Sequence, residues 1–135
     1  MRNLLIFVES RFPIDRARLK KTLNTFLDTS GIKGDVEVSV AVVGDRKMRN
    51  INEKFHKESG TTTILSFAQA ETTSHGAGFV EPPDGILRLG DIIISYPQAV
   101  ERAAEENMLV DDKVDELLIH GLNNLLGKEE SGLLS

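Results

Sequence analysis

The stretch IHGLNNLLGKEE, residues 119–130, decides the fold of this chain. His120 is followed by polar side chains four and ten positions later, Asn124 and Glu130, with Gly127 at the seventh position. Positions four apart lie on one face of an α-helix, a single turn apart. The spacing is typical of a helical motif that places three groups around one metal ion, although histidine occupies only the first of the three positions.

Composition limits the class of protein. The chain has 135 residues, of which 40% are hydrophobic and 27% charged, which is typical of one soluble globular domain. It has no cysteine, so disulfide partners, thiolate metal sites and a cysteine nucleophile are excluded. The apolar runs are strand-sized and no secretory signal is present, so we expect no membrane partner and a cytoplasmic location.

Charge is distributed unevenly along the sequence. Residues 1–57 hold 12 Lys/Arg against 7 Asp/Glu, whereas residues 58–135 hold 4 against 14. A basic half can form a face for a polyanion, since Lys and Arg contacts to phosphate supply the sequence-independent part of nucleic-acid affinity. Charge by itself favours the alternative, a solvated surface whose charges happen to separate along the chain.

Hydrophobic periodicity predicts the element order β-α-β-α-β-β-α-α. The predicted strands span 2–8, 35–43, 61–70 and 87–95, and the predicted helices span 13–27, 45–55, 97–108 and 110–126. Residues 71–86, with three glycines and two prolines, are predicted to form one long loop. This order gives a single α/β (α+β) domain in which helices cover a small, mixed, four-stranded sheet.

Three positions within these elements carry expectations of their own. Phe55 is expected to face inward from the short second helix, and Asp91 is expected to be a buried, hydrogen-bonded carboxylate. Gly121 is expected to let the last helix approach the sheet closely. The same helix carries one apolar stripe, formed by Val110, Val114, Leu117, Leu118, Leu122 and Leu125, with His120 and Asn124 on its shoulder.

Three blocks of sequence resemble the YbeY family of bacterial rRNA-maturation endoribonucleases. The family's signature helix reads His-Gly-x-Leu-His-Leu-x-Gly-Tyr-Asp-His, and this chain matches it at His120, Gly121, Leu125 and Gly127. The family's Leu-Asn-x-x-Tyr-Arg and Thr-Asp-Val-Leu-Ser-Phe segments are similar to INEKFH (51–56) and TTILSF (62–67). Its Leu-Gly-Asp-Ile strand is present unchanged at 89–92.

The resemblance implies a fold, an activity and partners. It implies a YbeY-like single domain over 1–135 and a single-strand-specific, metal-dependent endoribonuclease that acts in rRNA processing and ribosome biogenesis. It implies one zinc ion as cofactor, with a bound water as the nucleophile. The implied partners are rRNA or pre-rRNA and the ribosome, and the sequence does not set the oligomeric state.

The departures from the family pattern fall on the residues that matter for chemistry. Asn124 and Glu130 stand where the family has its second and third ligand histidines, and His56 stands where it has a cleft arginine. An amide is a weak zinc ligand, whereas a carboxylate is a competent one. Arginine offers a permanent bidentate charge, whereas histidine offers a titratable donor or a metal ligand.

Three hypotheses about function therefore stay open. In the first, the chain is an enzyme whose metal is held by His120 with Glu130, Asn124 or His56. In the second, it binds no metal and acts as an RNA- or ribosome-binding factor. In the third, it is an interaction module with unrelated partners. In the first two, the exposed cations of the first helix would position RNA: Arg16, Arg18, Lys20 and Lys21.

Overall fold

The computed structural model describes residues 1–56, 60–69 and 85–127, with the His56 side chain excepted. This part of the chain forms one sheet of four strands, β1 (Arg2–Val8), β2 (Asp35–Val43), β3 (Ile64–Ala68) and β4 (Ile86–Ser95). The helices are α1 (Arg16–Thr29), α2 (Asp45–Ile51), α3 (Tyr96–Glu105) and α4 (Val110–Leu125). The predicted α/β fold with a small four-stranded sheet is confirmed. Of the predicted loop, residues 71–84 lie outside the described residues.

The sheet has the order β1-β2-β4-β3 and is mixed. Strands β1, β2 and β4 run parallel, while β3 runs antiparallel to β4 at one edge. The valines of β2 alternate into the core, where Val36, Val38, Val40 and Val42 are at most 1% exposed. Because alternate residues of a strand point to opposite faces, this pattern directs one face of the sheet towards α1 and α4.

Helix α4 lies close against the sheet at Gly121. A Cβ placed on Gly121 would come within 3.0 Å of Ile92 Cγ2 and 3.2 Å of Ile64 Cδ1. Those contacts are tighter than ordinary van der Waals packing, so the missing side chain sets how closely the helix and strands approach. The expected role of Gly121 is confirmed, and the apolar stripe of α4 lies in the main core beside it.

Strand β4 contains a bulge at the Leu-Gly-Asp sequence. Glu37 of β2 pairs with Arg88, but the next residue, Val38, pairs with Gly90, so Leu89 is an extra residue in β4. Asp91 then points away from α4, is exposed, and accepts a hydrogen bond from Ser39 Oγ. The expectation that Asp91 is buried is wrong, since its side chain is exposed on the sheet face opposite α4.

The opposite face of the sheet is partly covered by α2 and by a π-helical turn, Asn52–His56, that continues it. Met48 is fully buried there between Val43 and Leu65. Phe55 was expected to face inward, but its side chain is 62% exposed. That expectation is wrong because a π-turn advances each residue by a smaller angle than an α-helix, which rotates Phe55 out of the buried stripe.

Within the described ranges, no helix is both long enough and apolar enough to cross a membrane.

Candidate functional site

His120 and Asn124 lie one turn apart on α4, where the helical spacing predicts them. His120 is partly buried, Asn124 is exposed, and 3.4 Å separates His120 Nε2 from Asn124 Nδ2. An amide nitrogen only donates hydrogen bonds, so in this contact it faces the lone pair of the tautomer in which His120 Nε2 carries no hydrogen. The same lone pair would bind a metal ion, so a metal would have to displace the amide or the amide would have to turn its oxygen towards the ion.

The described residues supply too few donors for a zinc site by themselves. Nowhere within 1–56, 60–69 and 85–127 do three or more His, Asp or Glu side chains gather around one point. Zinc takes about three protein ligands and one open position in catalytic sites. His120 offers one imidazole, and Asn124 offers an amide that is a weak ligand. Glu130 and the side chain of His56, the other two predicted donors, lie outside the described part of the chain.

Two of the four predicted RNA-contacting cations have partners within the protein. Arg16 donates from Nη1 to the carbonyl of Ile6 at 2.9 Å, on the outer edge of β1. Arg18 bridges α1 to α4, since its Nε donates to Asp115 Oδ2 at 2.9 Å and its Nη2 to Asp112 Oδ1 at 2.7 Å. These hydrogen bonds, first to Asp115 and then to Asp112, raise the pKa of Arg18 above its ordinary value. Arg18 therefore stays charged and held in place.

Lys20 and Lys21 are exposed and form no ion pair with any described residue. Lys21 lines an open groove of about 680 Å³ between α1 and α4, next to Asp115 and Ile119. At about 100° per residue, Asp115 lies on the opposite side of α4 from Asn124. The structure therefore places Arg18 and Lys21 beside Asp115, on the side of α4 away from Asn124, and Arg16 at the outer edge of β1.

Sequence reasoning missed a group of exposed cations and aromatic rings on the other side of the sheet. We call it the α2 face and define it by Phe7, Arg46, Lys47, Arg49, Lys54 and Phe55. All six side chains are exposed, with Phe7 at 51% and Phe55 at 62%. Two sequence patterns could have predicted it. Basic residues recur at 46, 47 and 49, and Leu5 and Phe7, two positions apart in β1, point to the same face of the sheet.

These features define a class: a small α/β protein whose mixed sheet packs under a helix with a histidine on its shoulder. The solution structure of TM1509 from Thermotoga maritima has this fold, with a TM-score of 0.63 and 23% identity. The match covers 93% of this chain and 73% of that one. At this level of identity the likeness establishes the fold alone.

The chain belongs to the endoribonuclease YbeY family, whose model matches residues 8–131. The endoribonuclease YbeY of Roseiflexus sp. (strain RS-1) is 32% identical over 114 residues, which cover 84% of this chain and 69% of that protein. The endoribonuclease YbeY of Moorella thermoacetica is 32% identical over 123 residues, covering 88% and 78% respectively. The family resemblance read from the three sequence blocks is confirmed.

Proposed function

We propose that this chain is an rRNA maturation factor that acts in the cytoplasm as a single-strand-specific, metal-dependent endoribonuclease. The observation that carries the proposal is His120 at the edge of the apolar stripe of α4, in a chain that matches the family model over 8–131. The ligand would be rRNA or pre-rRNA, met on or near the ribosome. The excess of Lys and Arg in the first 57 residues supports a polyanionic ligand.

In this proposal His120 is the anchor ligand of one zinc ion. Glu130 is the co-ligand with the better chemistry, since a carboxylate oxygen binds zinc well and an amide oxygen does not. Asn124 matches a ligand position and lies 3.4 Å from His120, so it would orient the imidazole even where it does not bind the ion. His56 would contribute either as a third ligand or as the group that meets the RNA phosphate.

Metal analysis of the purified protein tests the proposal most directly. We expect about one zinc per chain in the parent, and none in His120→Ala, because the anchor imidazole is lost. Asn124→Ala is the matched control on the same turn of α4, and it should keep most of the metal, since its amide is a weak ligand. Glu130→Ala should lose the metal as His120→Ala does.

Cleavage of a single-stranded pre-rRNA fragment should require the bound metal ion. Chelation should abolish it and added zinc should restore it. A parent that carries no metal, under conditions that load a relative with three histidines, would contradict the enzyme proposal. So would cleavage that survives both chelation and the His120→Ala substitution.

A second candidate function is a metal-free RNA- or ribosome-binding factor. The observation in its favour is the amide nitrogen of Asn124 beside His120 Nε2, where a metal ion bound to that nitrogen would lie. On this hypothesis RNA binding would persist in the presence of a chelator and weaken with salt. Lys20 and Lys21, exposed and without ion pairs among the described residues, would contribute to it.

A further inference from the structure

We propose that the α2 face binds single-stranded RNA, with its two phenyl rings stacking on bases and its four cations contacting phosphates. The choice of RNA as the ligand rests on the proposed function. The surface itself does not depend on that function's metal, because α2 packs through Met48 and Ile51 on the sheet face opposite α4.

The two rings present free aromatic surface. Phe7 projects from β1 and is 51% exposed, and Phe55 projects from the π-helical turn and is 62% exposed. Phe55 meets Phe67 edge-on, with ring centroids 5.8 Å apart and an interplanar angle of 70°. That contact fixes the ring without covering it with another ring. An exposed phenyl ring held in this way can stack on a base of any identity.

Each ring has a cation over one of its faces. Lys47 Nζ lies 5.6 Å from the centroid of Phe7, and Lys54 Nζ lies 5.8 Å from the centroid of Phe55. Base and phosphate alternate along a nucleic acid strand, so a ring with a neighbouring ammonium group matches one nucleotide unit. The two pairs repeat the same chemistry at two places on one surface.

Within the described ranges, no ion pair neutralises the cations of the α2 face. Arg46, Lys47, Arg49 and Lys54 form no ion pair with any residue in the described ranges, whereas Arg18 pairs with Asp112 and Asp115. Of the two acidic residues in 45–56, Asp45 is directed inward to the hydroxyl groups of Ser95 and Thr61. Glu53, the other acidic residue, is exposed. The segment therefore presents a net positive surface to solvent.

The segment is anchored at both ends. Ser95 Oγ donates to Asp45 Oδ1 at 2.9 Å at the start of α2, and Asn52 Nδ2 donates to the carbonyl of Gly60 at 3.0 Å in the π-helical turn. Met48 is fully buried between these anchors. A surface held in this way loses less conformational entropy on binding than a mobile one.

The combination of rings and cations selects the occupant. Duplex RNA keeps its bases stacked inside the helix, so its phosphates would contact the cations but its bases would not stack on the rings. An acidic protein segment would pair with the cations, but it would cover the rings only where it carried apolar side chains at matching positions. Single-stranded RNA uses both, and therefore it is the occupant that we commit to.

The test measures binding of a fluorescein-labelled, 12-nucleotide oligouridylate to the full chain by anisotropy, with chelator present. The double variant Phe7→Leu/Phe55→Leu keeps the apolar volume and removes both π faces, so we expect binding at least about tenfold weaker. Phe55→Tyr keeps a stacking ring and should bind within twofold of the parent. Leu109→Ala, at a side chain 72% exposed outside the face, is the matched control and should change nothing.

A second readout reports contact at the ring itself. The chain has no tryptophan, so Phe55→Trp adds a single indole reporter. Its fluorescence should be quenched by oligouridylate over the same concentrations that saturate the anisotropy signal. Leu109→Trp is the control reporter, and its fluorescence should not respond.

Several results would overturn the proposal. These are a leucine double variant that binds within twofold of the parent, an unquenched indole at position 55, or a parent that does not bind oligouridylate at all. Equal, ring-independent binding of a 12-base-pair RNA duplex would do the same. Metal content and cleavage are measured at His120, so a parent that binds through its rings but holds no metal keeps this inference and removes the enzyme. A parent that cleaves RNA but binds it equally well without the rings keeps the enzyme proposal and removes this inference.

Discussion

Three features of the backbone at position 90 require a glycine. Gly90 has a φ of +136°, it follows the bulge residue Leu89, and a Cβ on it would lie 2.1 Å from the carbonyl oxygen of Phe67. L-residues rarely adopt such a φ, and the oxygen belongs to the paired backbone of β3, which cannot move aside. The glycine of the Leu-Gly-Asp sequence is thus required by the sheet.

Gly90→Ala should lower the free energy of unfolding by at least about 3 kcal/mol, because the backbone strain and the collision with Phe67 add together. Urea denaturation followed by circular dichroism measures the change. Gly31→Ala is the matched control: Gly31 has a φ of +75° with nothing within 4 Å of the added Cβ, so only the backbone term remains, about 1 kcal/mol. Equal losses in the two variants would show that the contact with Phe67 contributes nothing.

At the scale of elements, α1 and α4 are joined by an ionic bridge as well as by apolar packing. The Arg18 side chain is 38% exposed and reaches Asp112 and Asp115 on α4, while Thr22 donates to Asp115 from the next turn of α1. A guanidinium that donates to two carboxylates has a fixed geometry. The bridge explains why a cation on an exposed helix position holds two helices together instead of facing a ligand.

Arg18→Ala should therefore lower the free energy of unfolding only slightly, because an ion pair that solvent reaches contributes little to stability. RNA affinity should change less than twofold, because the charge of Arg18 is already offset by α4. Lys20→Ala is the counterpart on the same helix, and it should leave urea denaturation unchanged. If Arg18→Ala weakened RNA binding more than Lys20→Ala did, Arg18 would belong to the RNA surface after all.

At the scale of the whole molecule, the cations of the basic first 57 residues separate onto two surfaces. Helix α1 packs on the same side of the sheet as α4, and α2 packs on the other. The net charge of −5 hides this distribution, since most acidic residues fall after residue 57. An acidic protein of this kind can still present a local basic surface to RNA.

The salt dependence of RNA binding counts the cations that contact phosphate. With the four cations of the α2 face engaged, the slope of log K against log salt should be about −3, at roughly −0.7 for each neutralised phosphate of a single strand. The double variant Arg46→Gln/Lys47→Gln should reduce its magnitude by about 1.4. Lys33→Gln, an exposed cation before β2, should leave it unchanged. A slope that Arg46 and Lys47 do not affect would place the phosphates elsewhere.

Local patterns in the sequence determined much of this protein. The alternating valines of β2, the apolar stripe of α4 and the spacing of His120 and Asn124 each depend only on residues near one another, so the fold and the face of α4 that carries the histidine followed from them. The blocks at 51–56, 62–67 and 89–92 were enough to identify the family.

The tertiary structure alone decided which charged and aromatic side chains are exposed and able to contact a ligand. Arg18 is engaged because Asp112 and Asp115 lie on a helix that begins more than ninety residues later. Phe55 is exposed because the helix changes from α to π after Ile51, and Asp91 is exposed on the face of the sheet opposite α4. Periodicity records which residues share a face. What lies opposite that face depends on contacts between distant parts of the chain, and those form only when the sheet and helices assemble.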